Sequence, residues 1–196
     1  MQALLVVDAQ NEFSAKGLRP VPNHTGALER IIRHVELARG ERRPIAWVQH
    51  HNKPHESKAF LSGSWGADWS PGLGPITDHG REKLFEKDVY GAFTGTGLED
   101  WLRGLDISEV LIVGFYAHMC LSTSVREALI RGFDVQIDPD ATGARDLENP
   151  VLGKLTADEV RRSALLQLVH MGATLVPSTR RARGIVAAVT GSAEHD

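Results

Sequence analysis

The apolar positions of this chain follow two rhythms. Short dense stretches, Ala3 to Val7, Pro44 to Gln49, Val110 to Val113, Phe133 to Ile137 and Ala173 to Val176, have the length of strands buried in a sheet. A further short strand is predicted over Lys83 to Val89. Between them, apolar residues recur at three- and four-residue spacing. Leu28, Ile31, Ile32, Val35 and Leu37 mark a helix from Thr25 to Ala38, and Leu98, Trp101, Leu102 and Leu105 mark one from Gly97 to Gly104. Leu121, Val125, Ala128 and Leu129 predict a third helix ending at Gly132, and Thr156 to Glu159 has the form of a capping box opening a fourth that ends near Met171. A last helix is expected from Ser178, fraying into a polar tail over residues 191–196. Asp138 to Gly143 reads as a polar turn, with loop continuing to Gly153. Strands alternating with helices predict a three-layer α/β/α fold, a doubly wound sheet of about six mainly parallel strands, in a single domain over residues 1–190.

One segment breaks the rhythm. From His50 to His79 no period holds, and the stretch carries His50, His51, His55, Trp65 and Trp69 among glycines and prolines. Structureless segments of this length inside a compact domain are usually functional.

In open parallel sheets, sites form at the carboxyl ends of strands. Three chemically capable residues fall there: Asp8 after the first strand, Lys87 at the end of the third and Cys120 after the fourth. Each has a plainer reading. Asp8 could cap a turn, Lys87 stands in a charged run where a solvated lysine is the default, and Cys120 could be a small buried apolar residue. Cys120 also follows Gly114 and opens a helix, where unpaired N–H groups and the helix dipole favour a thiolate.

The chain has 42% hydrophobic and 24% charged residues, 22 Lys and Arg against 25 Asp and Glu. That balance is ordinary for a globular protein and offers no basic stripe for nucleic acid or an anionic membrane. A single cysteine fits a reducing compartment, and Met1 to Asp8 reads as a buried strand rather than a signal peptide. A cytoplasmic location is the expectation. A nucleotide-binding module of the same layered architecture is disfavoured, because no glycine follows Asp8-Ala-Gln-Asn and Gly95-Thr-Gly97 does not continue to a third glycine.

Three segments, Asp8-Ala-Gln-Asn-Glu-Phe13, Lys87-Asp-Val-Tyr-Gly-Ala-Phe93 and Gly114-Phe-Tyr-Ala-His-Met-Cys120, resemble in content and order the isochorismatase-like cysteine hydrolases. Asp138 to Ala141 resemble the family's later strand end. The resemblance implies a catalytic set of Asp8, Lys87 and Cys120, a cis peptide between Phe115 and Tyr116, and an oxyanion hole from the N–H groups of Tyr116 and Cys120. It implies a hydrolase of a small amide, carbamoyl or ureido compound, needing no cofactor and assembling as a homo-oligomer, dimer or tetramer. Phe13, Trp65, Tyr90, Phe93 and Tyr116 are the expected pocket walls, each equally able to be core packing. Nicotinamidases of the family hold a metal on an Asp-x-His pair and a further histidine. This chain has Gln49-His50-His51 at the matching place, and Gln49 replaces the carboxylate ligand poorly; His50, His51 and His55 could still form a nitrogen-rich site, but hydrogen-bonding or surface roles rank ahead and no metal is expected. True isochorismatases, which cleave a vinyl ether, lack the cysteine; that reaction remains the alternative.

Overall fold

The computed structural model describes residues 1–76 and 80–176. The expected last helix and tail lie outside the described residues. Among the described residues, six strands, β1 Gln2–Val7, β2 Ile45–His50, β3 Glu82–Lys87, β4 Glu109–Gly114, β5 Asp134–Thr142 and β8 Thr174–Leu175, form one all-parallel sheet in the order β3-β2-β1-β4-β5-β8. The strand order reverses between β1 and β4, which opens the crevice where ligands settle in such sheets.

Each face is covered, which is why the central strands are almost wholly apolar. Helix α1 (His24–Gly40) packs Ala27, Ile31, Val35 and Ala38 against Leu4, Val6, Trp47 and Val113 on one face. Helices α2 (Leu98–Gly104), α3 (Cys120–Ile130) and α4 (Ala157–His170) cover the other. Alternation along β1 sends Leu4 and Val6 to the first face and Ala3, Leu5 and Val7 to the second. The capping box of α4 is formed, with the Thr156 side chain accepting from Glu159 N and the Glu159 carboxylate accepting from Thr156 N. Among the described residues no helix is long and apolar enough to cross a membrane.

Two features differ from the sequence expectation. Strand β5 continues to Thr142 instead of ending in a turn after Ile137. Asp138 is tolerated there because it is fully buried and paired: its carboxylate accepts from Arg30 Nε (2.5 Å) and Asp140 N (2.9 Å) and bonds His34 Nε2 (2.6 Å). A register shift opposite Ile112 and Gly114 accommodates Pro139. The expected loop before Gly153 contains a small antiparallel hairpin, β6 (Leu147–Asn149) with β7 (Gly153–Leu155).

Gly114 positions the junction on which the site depends. Its φ is 121°, and a Cβ there would lie 1.8 Å from Val7 O, so only glycine lets β4 end this close to β1. Beyond it, Phe115 N donates to Val7 O (3.0 Å), and the chain turns towards α3.

Candidate active site

Asp8 follows β1 directly, with a left-handed backbone (φ 52°) and its N–H bonded to Val48 O (2.9 Å). That turn directs a carboxylate, 1% exposed, into the crevice. Lys87 closes β3, opposite His50 in the β2–β3 register, and its side chain is fully buried. Its Nζ donates to Asp8 Oδ2 (2.8 Å), to Val89 O (3.1 Å) and to His50 Nδ1 (3.2 Å). All three ammonium protons are therefore used. An ammonium cannot accept, so His50 Nδ1 is the acceptor, and the ring's proton sits on Nε2, which donates to Asn52 Oδ1 (2.7 Å). Burial lowers the His50 pKa, the Lys87 charge lowers it further, and the ring is neutral. For Lys87, burial acts to lower the pKa, but the Asp8 carboxylate and the Cys120 sulfur more than offset it; the ammonium is held above its usual range.

Cys120 is the first residue of α3 and is 8% exposed. The charges of Asp8 and Lys87 both act on its sulfur. Ser124 secures this turn: its hydroxyl donates to Cys120 O (2.6 Å) and accepts from Ala92 N (3.0 Å). Asp8 Oδ1 is buried and has no partner among the described residues, so the carboxylate has one oxygen tied to Lys87 and one free. The structure thus brings Asp8, Lys87 and Cys120 together in one crevice.

The charge state of the sulfur corrects the sequence expectation. The position at a helix terminus favours a thiolate. Burial instead pushes the Cys120 pKa well above the ordinary thiol range, and the Asp8 carboxylate pushes it further, with Lys87 only partly opposing them. The resting group is a thiol beside a carboxylate.

The peptide bond between Phe115 and Tyr116 is cis. Ala117 N donates to Gly143 O (2.8 Å), while Met119 N and Leu121 N both donate to Tyr116 O (3.1 Å each). The N–H groups of Tyr116 and Cys120 take no part in this network.

A cavity of about 540 Å³ opens above these groups. Phe13 and Tyr116 form its apolar wall, 4.8 Å apart between ring centroids, and Tyr90 stands at its exposed edge. The Tyr116 hydroxyl donates to Arg19 O (2.7 Å); burial raises its pKa to about 12, so it remains protonated. Two expected wall residues lie elsewhere. Trp65 is half exposed on the surface segment, and its carbonyl accepts from Asn11 Nδ2 (3.0 Å) and Asp68 N (3.3 Å). Phe93 packs into the core against Phe133, with Arg131 over its ring. Phe60, Met119, Asn52, Arg19 and Arg145 line the cavity without having been anticipated. Asn52 alone carried a signal, as a polar residue just past a strand end.

The three histidines do not converge. Both His50 nitrogens are engaged, His51 Nε2 faces Glu86 Oε1 (3.3 Å), and His55 is exposed. Gln49 spends its amide on Ala67 O (2.8 Å). A metal of the nicotinamidase type would need a carboxylate and free imidazole nitrogens here, and this donor set does not fit it.

Residues 2–179 match the family model of the isochorismatase domain. The chain belongs to the isochorismatase family of hydrolases. Nicotinamidase 3 of Arabidopsis thaliana is 29% identical over 187 residues, covering 83% of this chain and 88% of the relative. A secreted isochorismatase effector of Verticillium dahliae is 30% identical over 175 residues, with coverage of 89% and 87%. Among solved structures of the family, an isochorismatase from Pseudomonas putida superposes with a TM-score of 0.82 at 27% identity, covering 90% of this chain and 87% of that one.

Proposed function

We propose that this family member hydrolyses the C–N bond of a small amide, carbamoyl or ureido compound through a thioester on Cys120. The observation carrying the reading is the divided Asp8 carboxylate, with Oδ2 fixed by a buried ammonium and Oδ1 without a partner among the described residues, in a cavity that Cys120 also lines. A thiol held far above its usual pKa needs a proton acceptor at the moment of attack, and Asp8 Oδ1 supplies one.

In the first half-reaction, Asp8 takes the thiol proton while the sulfur bonds to the substrate carbonyl carbon. The carbonyl oxygen becomes an oxyanion, received by the N–H groups of Tyr116 and Cys120; losing one such donor costs about 3 kcal/mol. Asp8 then returns the proton to the nitrogen, the C–N bond breaks, and ammonia or an amine departs. In the second half, water gives a proton to Asp8 and attacks the thioester. Collapse expels the sulfur, which recovers the proton, and releases the acid. Throughout, Lys87 keeps the carboxylate ionised between transfers and His50, as a neutral acceptor, fixes the ammonium. The Arabidopsis relative, named as a nicotinamidase, supports amide chemistry. The Verticillium relative, named as an isochorismatase, favours the second reading, vinyl ether hydrolysis without a nucleophile.

A panel of small amides, ureido compounds and isochorismate, assayed for ammonia or ether cleavage with wild type, Cys120→Ala and Cys120→Ser, separates the two. Amide hydrolysis abolished in both variants is expected. Ether cleavage that survives Cys120→Ser would establish the second reading instead.

A further inference from the structure

Glu12 is a buried acid that the proposed reaction does not use. It is 3% exposed and lies in the short 3-10 turn Asn11–Phe13, shortly after Asp8. Its carboxylate is held by backbone N–H groups of two separate segments: Oε1 accepts from Leu18 N (2.5 Å) and Oε2 from Phe60 N (3.3 Å). Its main chain repeats the pattern, since Glu12 O accepts from Arg19 N (3.1 Å) and Glu12 N donates to Gly66 O (2.9 Å). One residue thus fastens segments 14–19 and 57–66 to the turn that carries Asp8. Both segments line the cavity above Cys120, the first through Arg19 and the second through Ser57 and Phe60.

Two observations show that the second fastening is built for this carboxylate. A Cβ on Gly66 would lie 1.8 Å from Glu12 Oε2, yet the Gly66 backbone is not left-handed. Glycine is needed there for the room it leaves the carboxylate, not for its conformational freedom. Phe60, by contrast, is left-handed, with φ 56°. That conformation is costly for a bulky side chain and persists where the surroundings over-determine it. The surroundings here are Glu12 on the Phe60 N–H and Asn52 N on its carbonyl (3.1 Å). The ring then packs 5.2 Å from Phe13 and edge-on, at 5.4 Å, to His50, the acceptor for Lys87.

We propose that Glu12 is a positioning residue that sets the width of the substrate cavity. Its carboxylate holds Phe60 in the strained conformation that keeps the ring in the wall, and Gly66 leaves the space that carboxylate needs. In the amide-hydrolase reading, on which this part rests, the pair is a size filter for the acyl group. Two chemically unlike changes reach the same bond. In Glu12→Gln the amide has one accepting oxygen; the shorter bond to Leu18 keeps it, and the NH2 group faces the Phe60 N–H, donor against donor. In Gly66→Ala the charge stays and the new methyl drives Oε2 away.

Cys120 is the only cysteine, so its modification reads the cavity without turnover. N-methylmaleimide and N-phenylmaleimide carry one electrophile in two sizes. With each rate divided by that for free cysteine, the phenyl reagent is expected to be slower in wild type by about tenfold or more, the effect of overfilling a packed wall. In both variants that discrimination is expected to shrink about tenfold, as for one lost hydrogen bond to a charged group. Amide exchange followed by NMR should show the Phe60 N–H losing protection in both variants while Leu18 N–H keeps it. Glu12→Ala already vacates the space, so adding Gly66→Ala to it should change the discrimination no further. With a small amide that the enzyme hydrolyses, both variants should raise KM about tenfold and leave kcat within about twofold. A role in stability alone would lower the melting temperature and leave discrimination and KM where they were. A wild type without discrimination, discrimination unchanged in both variants, or a Phe60 N–H equally protected would overturn the proposal. Discrimination lost in the variants while no amide is hydrolysed leaves the positioning role standing and removes the hydrolase reading. Hydrolysis by wild type with discrimination unaltered in both variants does the reverse.

Discussion

Replacing Lys87 by Met tests the electrostatic logic of the site most directly. Methionine preserves the length of the buried stem and deletes the ammonium, with its bonds to Asp8, His50 and Val89. A carboxylate 1% exposed is left without a counter-charge. Removing one partner of a buried pair costs about 3–5 kcal/mol, most of it the stranded charge. The site has an escape, which is to protonate Asp8. The folded variant then holds a proton that the unfolded chain releases, so its stability is greatest in acid and falls as pH rises, by up to about 1.4 kcal/mol per unit. Urea unfolding at intervals from pH 4 to pH 9 reads that slope, and wild type should not show it. Turnover should fall by about 10²-fold or more at neutral pH, because a protonated Asp8 cannot accept the thiol proton. Adding Asp8→Asn should recover stability, since no charge is then left buried, without recovering turnover. The reasoning fails if Lys87→Met costs less than about 1 kcal/mol, shows no pH slope, or gains nothing from the second change.

The remaining expectations concern the thiol, a buried ion cluster and assembly. Because burial and Asp8 hold the Cys120 pKa high, iodoacetamide should alkylate it more slowly than free cysteine near neutral pH. Its rate should still be climbing past the ordinary thiol range, and a plateau near pH 7 would show a resting thiolate. Burial tends to raise the Asp138 pKa, but bonds to His34, Asp140 N and Arg30 win and hold it below the carboxylate range. That contribution is present above the unfolded value and is lost as pH falls through the folded one. Asp138→Asn should therefore cost about 3 kcal/mol at pH 7 and flatten the acid limb of an unfolding profile; an unchanged limb would remove Asp138 from the account. We propose a dimer or tetramer in which the hairpin tip, with Val151 90% and Leu152 87% exposed, meets another copy. Light scattering of wild type beside Leu152→Asp should show the larger species only in wild type, and a wild-type monomer would reject it.

Lys87 stood in a charged run and was singled out only together with Asp8 and Cys120, whereas the placement of Asp8 was legible because its strand end is marked by a one-dimensional signal, an apolar run that stops with a polar residue following. The sheet and its covering helices were legible for the same reason. What stayed hidden needed the third dimension. Strand β5 could not be followed past Ile137, since the partners that satisfy Asp138, Arg30 and His34, lie on α1 more than a hundred residues earlier. Hairpin β6–β7 has three-residue strands too short for a period. Trp65 and Phe93 share composition with true wall residues, and only packing separates them from Phe13. Arg19 and Arg145 look like any solvated arginines until the cavity between them is seen. The sulfur's ionisation sets a helix terminus and a lysine against burial and a carboxylate, and sequence supplies the signs without the sizes.

The sheet order has a last consequence. Lys87 ends β3 and Asp8 directly follows β1, and β2 runs between these strands. Strands are spaced about 4.8 Å apart, so the lysine must bridge roughly two spacings, with its aliphatic stem crossing the end of β2 at His50. Four methylenes suit that span. A one-residue slip of β3 would send Lys87 to the opposite face, and no rotamer could bring it back. The sheet therefore acts as a ruler: the edge position of β3 sets which cation can serve this carboxylate, and a family member with another strand in that place would need a different base partner.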